Sequence, residues 1–276
     1  MIVDRNKKLN CIARAIREDV LEMTHKSGVN GGHLGGAFSS AEILAALYGN
    51  VMNISPESVC ADDRDRFILS KGHTAIGHYA ALRECGYITK EEMLTFEEPD
   101  TLFPTHEVMN IEKGIEISSG SLGYGLSIAV GIALSAKRKM QKFKTYVLMG
   151  DGECNEGTVW EAAMAAAKLR LDNLVAVVDV NGQSLDGFTS DIMPIYDIEK
   201  VWEGFGWNVL NVKNGNNISE LMDAFTSLSL SKPNVLIAHT VKAKGIPSIE
   251  GSVGWHHARL NDQQYEELKK EMENAQ

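Results

Sequence analysis

KTYVLMGDGECNEGTVWEAAMAAAKLRLDNLVAVVDVNGQ, residues 144–183, carries the pattern that decides the fold. Lys144–Met149 is a short apolar run rich in β-formers and reads as a buried strand. It stops at Gly150-Asp151-Gly152. The alanine-rich segment Val159–Leu169 reads as a helix. Asn173–Val180 (NLVAVVDV) reads as a second strand and stops at Asn181-Gly182. A strand, a helix and a strand in this order form a βαβ unit, whose right-handed crossover sets the two strands parallel.

The pattern extends in both directions. Asn6 to Lys26 carries Leu9, Ile12, Ala13, Ile16, Val20 and Met23 at helical spacing. A glycine-rich loop, Gly28 to Gly36, is expected next, and then a helix with Ser39 or Ser40 as N-cap and Glu42 in its first turn. Asp65–Leu69 (DRFIL) reads as a strand leading into a helix through SKGHTAIGHYAAL. Ser118–Gly125 (SSGSLGYG) reads as a second glycine-rich turn that opens a helix over Leu126–Lys139. Asn234–Thr240 reads as a further strand, and a polar helix is expected from Asn261. Apolar strands alternating with helices predict an α/β fold: an open, mostly parallel sheet with helices on both faces, in a single domain over residues 1–276.

The chain has 27 Lys and Arg against 37 Asp and Glu, a formal charge of −10. This balance argues against a nucleic-acid partner, which calls for a basic stripe. Cys11, Cys60, Cys85 and Cys154 form no CxxC pair, so neither a zinc knuckle nor a dithiol redox site is indicated. MIVDRNKKLN lacks the apolar core of a signal peptide, and no apolar run reaches membrane-spanning length. The expectation is a soluble cytoplasmic protein with reduced thiols and no membrane partner.

Ligands of open parallel sheets lie outside the carboxyl ends of the strands. The stretch 144–183 puts Asp151 at one such end and Asn181 at the neighbouring one. A carboxylate, an amide oxygen and a backbone carbonyl beyond Gly182 suit Mg²⁺ that also holds a phosphate. The glycines allow close approach, and the turn N–H groups favour an anion. A P-loop, a complete GxGxxG fingerprint and HExxH are all absent. His33, His73, His106 and His256 fall in separate predicted loops, several beside glycine, and read as a polar pocket for hydroxyls and phosphate. His25, His78, His239 and His257 read as structural.

GDG followed by an asparagine thirty residues after the aspartate resembles the thiamine-diphosphate motif. GGHLGG (31–36), DRFILSKGH (65–73), SSGSLGYGLSIAVG (118–131), GDGECNEGTVWEAAMAAA (150–167) and NGQSLDG (181–187) together resemble the N-terminal region of transketolases. The resemblance runs from about residue 7 to about residue 265 and implies the N-terminal subunit of a split, two-gene transketolase. Its implied cofactors are thiamine diphosphate and Mg²⁺. Its implied partner is a C-terminal subunit carrying the pyrimidine-binding and C-terminal domains, in an α2β2 heterotetramer, with sugars as substrates. Asp151, Asn181 and the Gln183 carbonyl would bind the metal. His73, Gly120, Leu122, Gly152 and His256 would surround the cofactor, and His33, His73, His106 and His256 would face the sugar. Glu156 and Glu161 match interface acids that link paired active sites.

The implied reaction transfers a two-carbon ketol unit from a ketose, generally phosphorylated, to an aldose. It needs proton transfers at sugar hydroxyls, which histidines near pKa 6.5 would serve. Around His106 the usual GHP-type segment is replaced by Phe103-Pro-Thr-His-Glu-Val108. That departure raises a modified donor, such as a sulfo-sugar or a branched pentulose phosphate, as the alternative. A 2-oxo acid dehydrogenase component and a deoxyxylulose-phosphate synthase share the cofactor motif and are the more distant readings.

Overall fold

A computed structural model describes residues 2–275. Its centre is a five-stranded sheet. Strands β1 (Arg66–Leu69), β2 (Thr145–Gly150), β3 (Leu174–Val180), β4 (Asn208–Val212) and β5 (Asn234–His239) stand in the order β1-β2-β3-β5-β4. Every pairing is parallel. Thr145 lies opposite Leu174 and Gly150 opposite Asp179, so the β2 and β3 ends are level.

Side chains alternate between two cores, as a sheet covered on both faces requires. Phe67, Leu69, Tyr146, Leu148, Val175, Val177 and Leu236 enter one core. It is covered by α1 (Ile2–Lys26), α2 (Leu34–Ser39), α3 (Ala41–Ala46) and α4 (Ala75–Glu84), with the short α5 (Lys90–Met93) beside α4. Ile68, Val147, Met149, Ala176, Val178 and Ile237 enter the other core. It lies beneath α6 (Tyr124–Arg138) and α7 (Gly157–Lys168). After β3 come the single turn α8 (Thr189–Ile192) and α9 (Ile198–Gly204), whose Trp202 joins this second core. α10 (Ile218–Thr226) and α11 (Asp262–Asn274) add Phe225 and Leu268 to the first. Each such side chain moved fully from water contributes about 1.5–3 kcal/mol. Among the described residues, no helix is long and apolar enough to cross a membrane.

Local expectations and structure differ in three places. The second half of the glycine-rich loop is helical: α2 begins at Leu34 and contains Gly35 and Gly36. Packing overrides low helix propensity here, because a Cβ on Gly35 would lie 2.4 Å from the Trp255 carbonyl oxygen. Ser40 takes the N-cap position of α3 and Glu42 its first turn, as expected, but no side chain caps the helix: the Ser40 hydroxyl donates back to the Gly36 carbonyl at 2.9 Å. Glu42 also forms a buried ion pair with Arg17 at 2.6 Å that ties α1 to α3. Finally, β4 was not anticipated at all.

Candidate active site

The ends of β2 and β3 are held together by Asp151. Its two carboxylate oxygens accept from Gly152 N (2.9 Å) and Gly182 N (2.8 Å). Burial, and then the nearby Asp179 carboxylate, push its pKa up to about 6. Asn181 donates its amide to Asp179 Oδ2 (3.2 Å) and accepts from Gln183 N (3.1 Å). Gln183 donates to the Gly251 carbonyl (2.7 Å), while its own Oε1 is buried without a partner. The Asp151 carboxylate, the Asn181 amide oxygen and the Gln183 backbone carbonyl at these level strand ends are hard oxygen donors of the kind that suits a divalent cation. Among the described residues, no cluster of three His, Cys, Asp or Glu offers an alternative metal site.

Asp179, the penultimate residue of an otherwise apolar strand, is fully buried. It accepts from Lys71 Nζ (2.5 Å), Ser39 Oγ (2.6 Å) and Thr240 Oγ1. Glu153 is also buried and accepts from Ser70 Oγ, Gly123 N (2.8 Å) and Gly150 N (3.0 Å), joining three loops. Sequence reasoning passed over both, although an acid inside NLVAVVDV and a lysine directly before Gly-His were visible signals. Lys242 was missed too. It is buried, donates to the Ser184 carbonyl (3.1 Å), and burial lowers its pKa to about 8. Lys242 lacks an ion-pair partner among the described residues; it and Lys71, which is paired with Asp179, line one cavity together with the acids Asp151, Glu153 and Asp186.

That cavity, of about 420 Å³, is lined by Asp151, Gly152, Asn181, Gln183, Gly120 and Leu122, and by His73, His106 and His256. His73 sits in a 3₁₀ turn directly after β1. Gly72 permits the crossing of two loops, since a Cβ there would meet Gly120 N at 2.4 Å. His33 precedes α2, and its ring lies 5.4, 6.1 and 5.4 Å from those of His73, His106 and His256. His73 stacks on His256 at 5.0 Å. The four histidines expected in separate loops thus converge.

Three of these rings, His33, His73 and His256, lie below the ordinary value near 6.5. Burial, with the other imidazoles adding to it, lowers His33 to about 3. Burial and Lys242 lower His256 to about 4, and burial and Lys71 push His73 well below the usual range. These three rings are neutral near pH 7 and act there as hydrogen-bond donors and acceptors. Glu156 and Glu161 lie outside the cavity, exposed at the start and on the outer face of α7.

His106 is presented by a loop anchored in the first core. Glu107, next to it, pairs with His78 Nδ1, whose Nε2 meets Tyr48 Oη at 2.5 Å; all three are buried. The Glu107 carbonyl accepts from Ser119 N (2.9 Å), and Tyr79 donates to the Pro104 carbonyl (2.9 Å). His78 is structural, as expected. His78→Leu leaves a buried carboxylate and a buried hydroxyl without their partner, and should cost about 3–5 kcal/mol in urea unfolding. Adding Glu107→Leu should recover part of that loss. A cost below about 1 kcal/mol would mean that this chain of bonds does not anchor the loop.

His25 pairs with Asp262 and His239 with Glu199, as befits structural residues. The His257 ring lies 4.7 Å from that of His33.

Comparison with known proteins shows the family. Residues 9–275 match the family model described as "Transketolase, thiamine diphosphate binding domain". The chain is 43% identical to an apulose-4-phosphate transketolase subunit of Actinobacillus succinogenes, over 89% of this chain and 88% of that one. It is 39% identical to a 6-deoxy-6-sulfo-D-fructose transketolase subunit of a Clostridium species, over 95% and 94%. The transketolase structure from Leishmania mexicana superimposes with a TM-score of 0.89 at 28% identity, over 96% of this chain and 41% of that one. The chain therefore spans about two-fifths of that solved transketolase, and it belongs to the transketolase family as its thiamine-diphosphate-binding domain.

Proposed function

We infer that this chain is the cofactor-binding subunit of a two-chain transketolase that moves a two-carbon ketol unit from a ketose to an aldose. The observation that carries this reading is the single cavity at the level ends of β2 and β3, with oxygen donors, cations and three histidines on its wall. Thiamine diphosphate, when bound, supplies the carbanion chemistry. Asp151, Asn181 and the Gln183 carbonyl would hold Mg²⁺ on the diphosphate, with Lys71 and Lys242 balancing its charge. Gly120, Leu122 and Gly152 leave room for it. His73 and His256 stand between this end and the sugar.

His33 and His106 would face the donor's C1 and C2 oxygens. Neutral imidazoles there donate to an oxygen as negative charge grows on it, and accept from hydroxyls as protons leave. Glu156 and Glu161, exposed on the α7 side, suit contact with a second copy or a partner chain in the assembly. The relatives named as transketolase subunits support a partner chain, and we assign that partner the remaining transketolase domains in an α2β2 enzyme acting in the cytoplasm.

The donor is the open choice between two readings. A phosphorylated linear ketose is the general one. The altered loop Phe103–Val108, together with relatives named for apulose 4-phosphate and for a sulfofructose, favours a modified ketose. Steady-state kcat/KM of the assembled enzyme for linear, branched and sulfonated ketoses distinguishes them. His106→Ala should lower kcat by about 10²–10⁴-fold if the ring serves proton transfer. A loss confined to one donor makes its loop a specificity element, and unchanged turnover of every donor removes His106 from the site.

A further inference from the structure

Gly32 and Ala258 form an isolated antiparallel bridge, each donating its N–H to the other's carbonyl at 2.9 Å. In antiparallel pairing the residue after one member lies opposite the residue before the other. His33 therefore faces His257, and Gly31 faces Arg259. The side chains follow this register. The two imidazoles meet edge to face, 4.7 Å apart at 78°. A Cβ on Gly31 would lie 2.9 Å from both Arg259 Cγ and His257 Cε1, so only glycine lets that pair sit close.

Asp151 shares its cavity with His73, His106 and His256, while neither His33 nor His257 lines it. His33 touches those three rings, and His257 is reached through His33. From the metal-binding end outward, the order is cavity, His33, His257. His257 is only half-buried, so a solute can reach it. In a neutral imidazole one ring nitrogen carries the proton and the other can accept a hydrogen bond. The charged and titratable groups around it are Arg259, Glu97, His33 and His256. Glu97 ties this rim to the His106 loop: its carboxylate accepts from Thr105 N (2.5 Å) and its carbonyl from Asn30 Nδ2 (3.3 Å). It does so in a left-handed backbone conformation (φ 62°) that non-glycine residues seldom adopt.

We propose that His257 is a donor-binding residue, accepting a hydrogen bond from a ketose hydroxyl beyond C2 and so selecting polyhydroxylated donors. This rests on the ketol-transfer reading. The test uses the assembled, cofactor-loaded enzyme with two donors. Hydroxypyruvate carries the ketol group and no hydroxyl beyond C2; erythrulose adds hydroxylated carbons. His257→Ala should lower kcat/KM for erythrulose about tenfold more than for hydroxypyruvate, with the difference in KM, as loss of one hydrogen bond predicts. His257→Asn, which keeps an acceptor, should recover part of it. Thermal melting of both variants checks the fold, and a melted alanine variant leaves the asparagine variant to decide. Equal losses on the two donors, or none, overturn the role of His257 alone. A wild-type enzyme without ketol transfer from either donor overturns the functional reading and this proposal with it.

Discussion

Asp151→Ala is expected to abolish retention of thiamine diphosphate by the assembled enzyme rather than merely slow its turnover. Asp151 is the only ionised side chain in the proposed metal set, and it also bridges the ends of β2 and β3 through Gly152 N and Gly182 N. Its loss removes the charge that offsets the cation and loosens the turn that carries Asn181. Changes to outer partners of a metal site cost 10–100-fold, so loss of this ligand should exceed about 100-fold in cofactor affinity. Asn181→Ala removes a neutral ligand and should act in the same direction but more mildly. A pH dependence follows from the same geometry. Cation binding requires the ionised carboxylate, whose pKa stands near 6 in the ligand-free protein. Affinity should be steady above that pH and fall as pH drops through it, because protons then compete for the oxygen. Calorimetric titration of both variants checks this; wild-type affinity in Asp151→Ala would remove the residue from the metal site.

The second large effect concerns the partner. The chain spans 41% of the solved Leishmania mexicana transketolase, and the two relatives described above are named as subunits. Purified alone, this chain should show ketol transfer at background level, with weak cofactor binding. Addition of the partner chain should restore turnover by orders of magnitude. The cavity's mouth agrees with this: Leu185, Ile192 and Met193 are apolar, line it and stand more than half exposed. Burial of such a surface favours association. Turnover by the chain alone at the level of the mixture would refute the dependence.

The parts legible in the sequence are those where one physical rule dominates. β2, α7 and β3 were readable because fully buried parallel strands must be continuous apolar runs. β4 was not, because an edge strand with Asn208 and Asn211 on a half-exposed surface carries no such run. The proposed metal end of the site is legible through Asp151 and Asn181, which follow strands directly. Glu153 and Lys242 were not, since their significance lies in who meets whom across the sheet, and Asp179 and Lys71, though visible as an acid inside an apolar strand and a lysine before Gly-His, gain their meaning only from the pair they form. His257 illustrates the same limit. Its neighbour His256 was chosen and it was not, yet the bridge at Ala258 turns its ring toward His33.

The central claim is that the level ends of β2 and β3 hold a metal-bound diphosphate beneath the histidine cluster. A crystal structure of the assembled enzyme with thiamine diphosphate and Mn²⁺ standing in for Mg²⁺ tests it most directly. The account predicts an anomalous peak coordinated by Asp151, Asn181 and the Gln183 carbonyl, at distances near the roughly 2.1 Å that Mg²⁺ takes, with the diphosphate beside Lys242. A metal bound elsewhere, or a diphosphate outside this cavity, would contradict it.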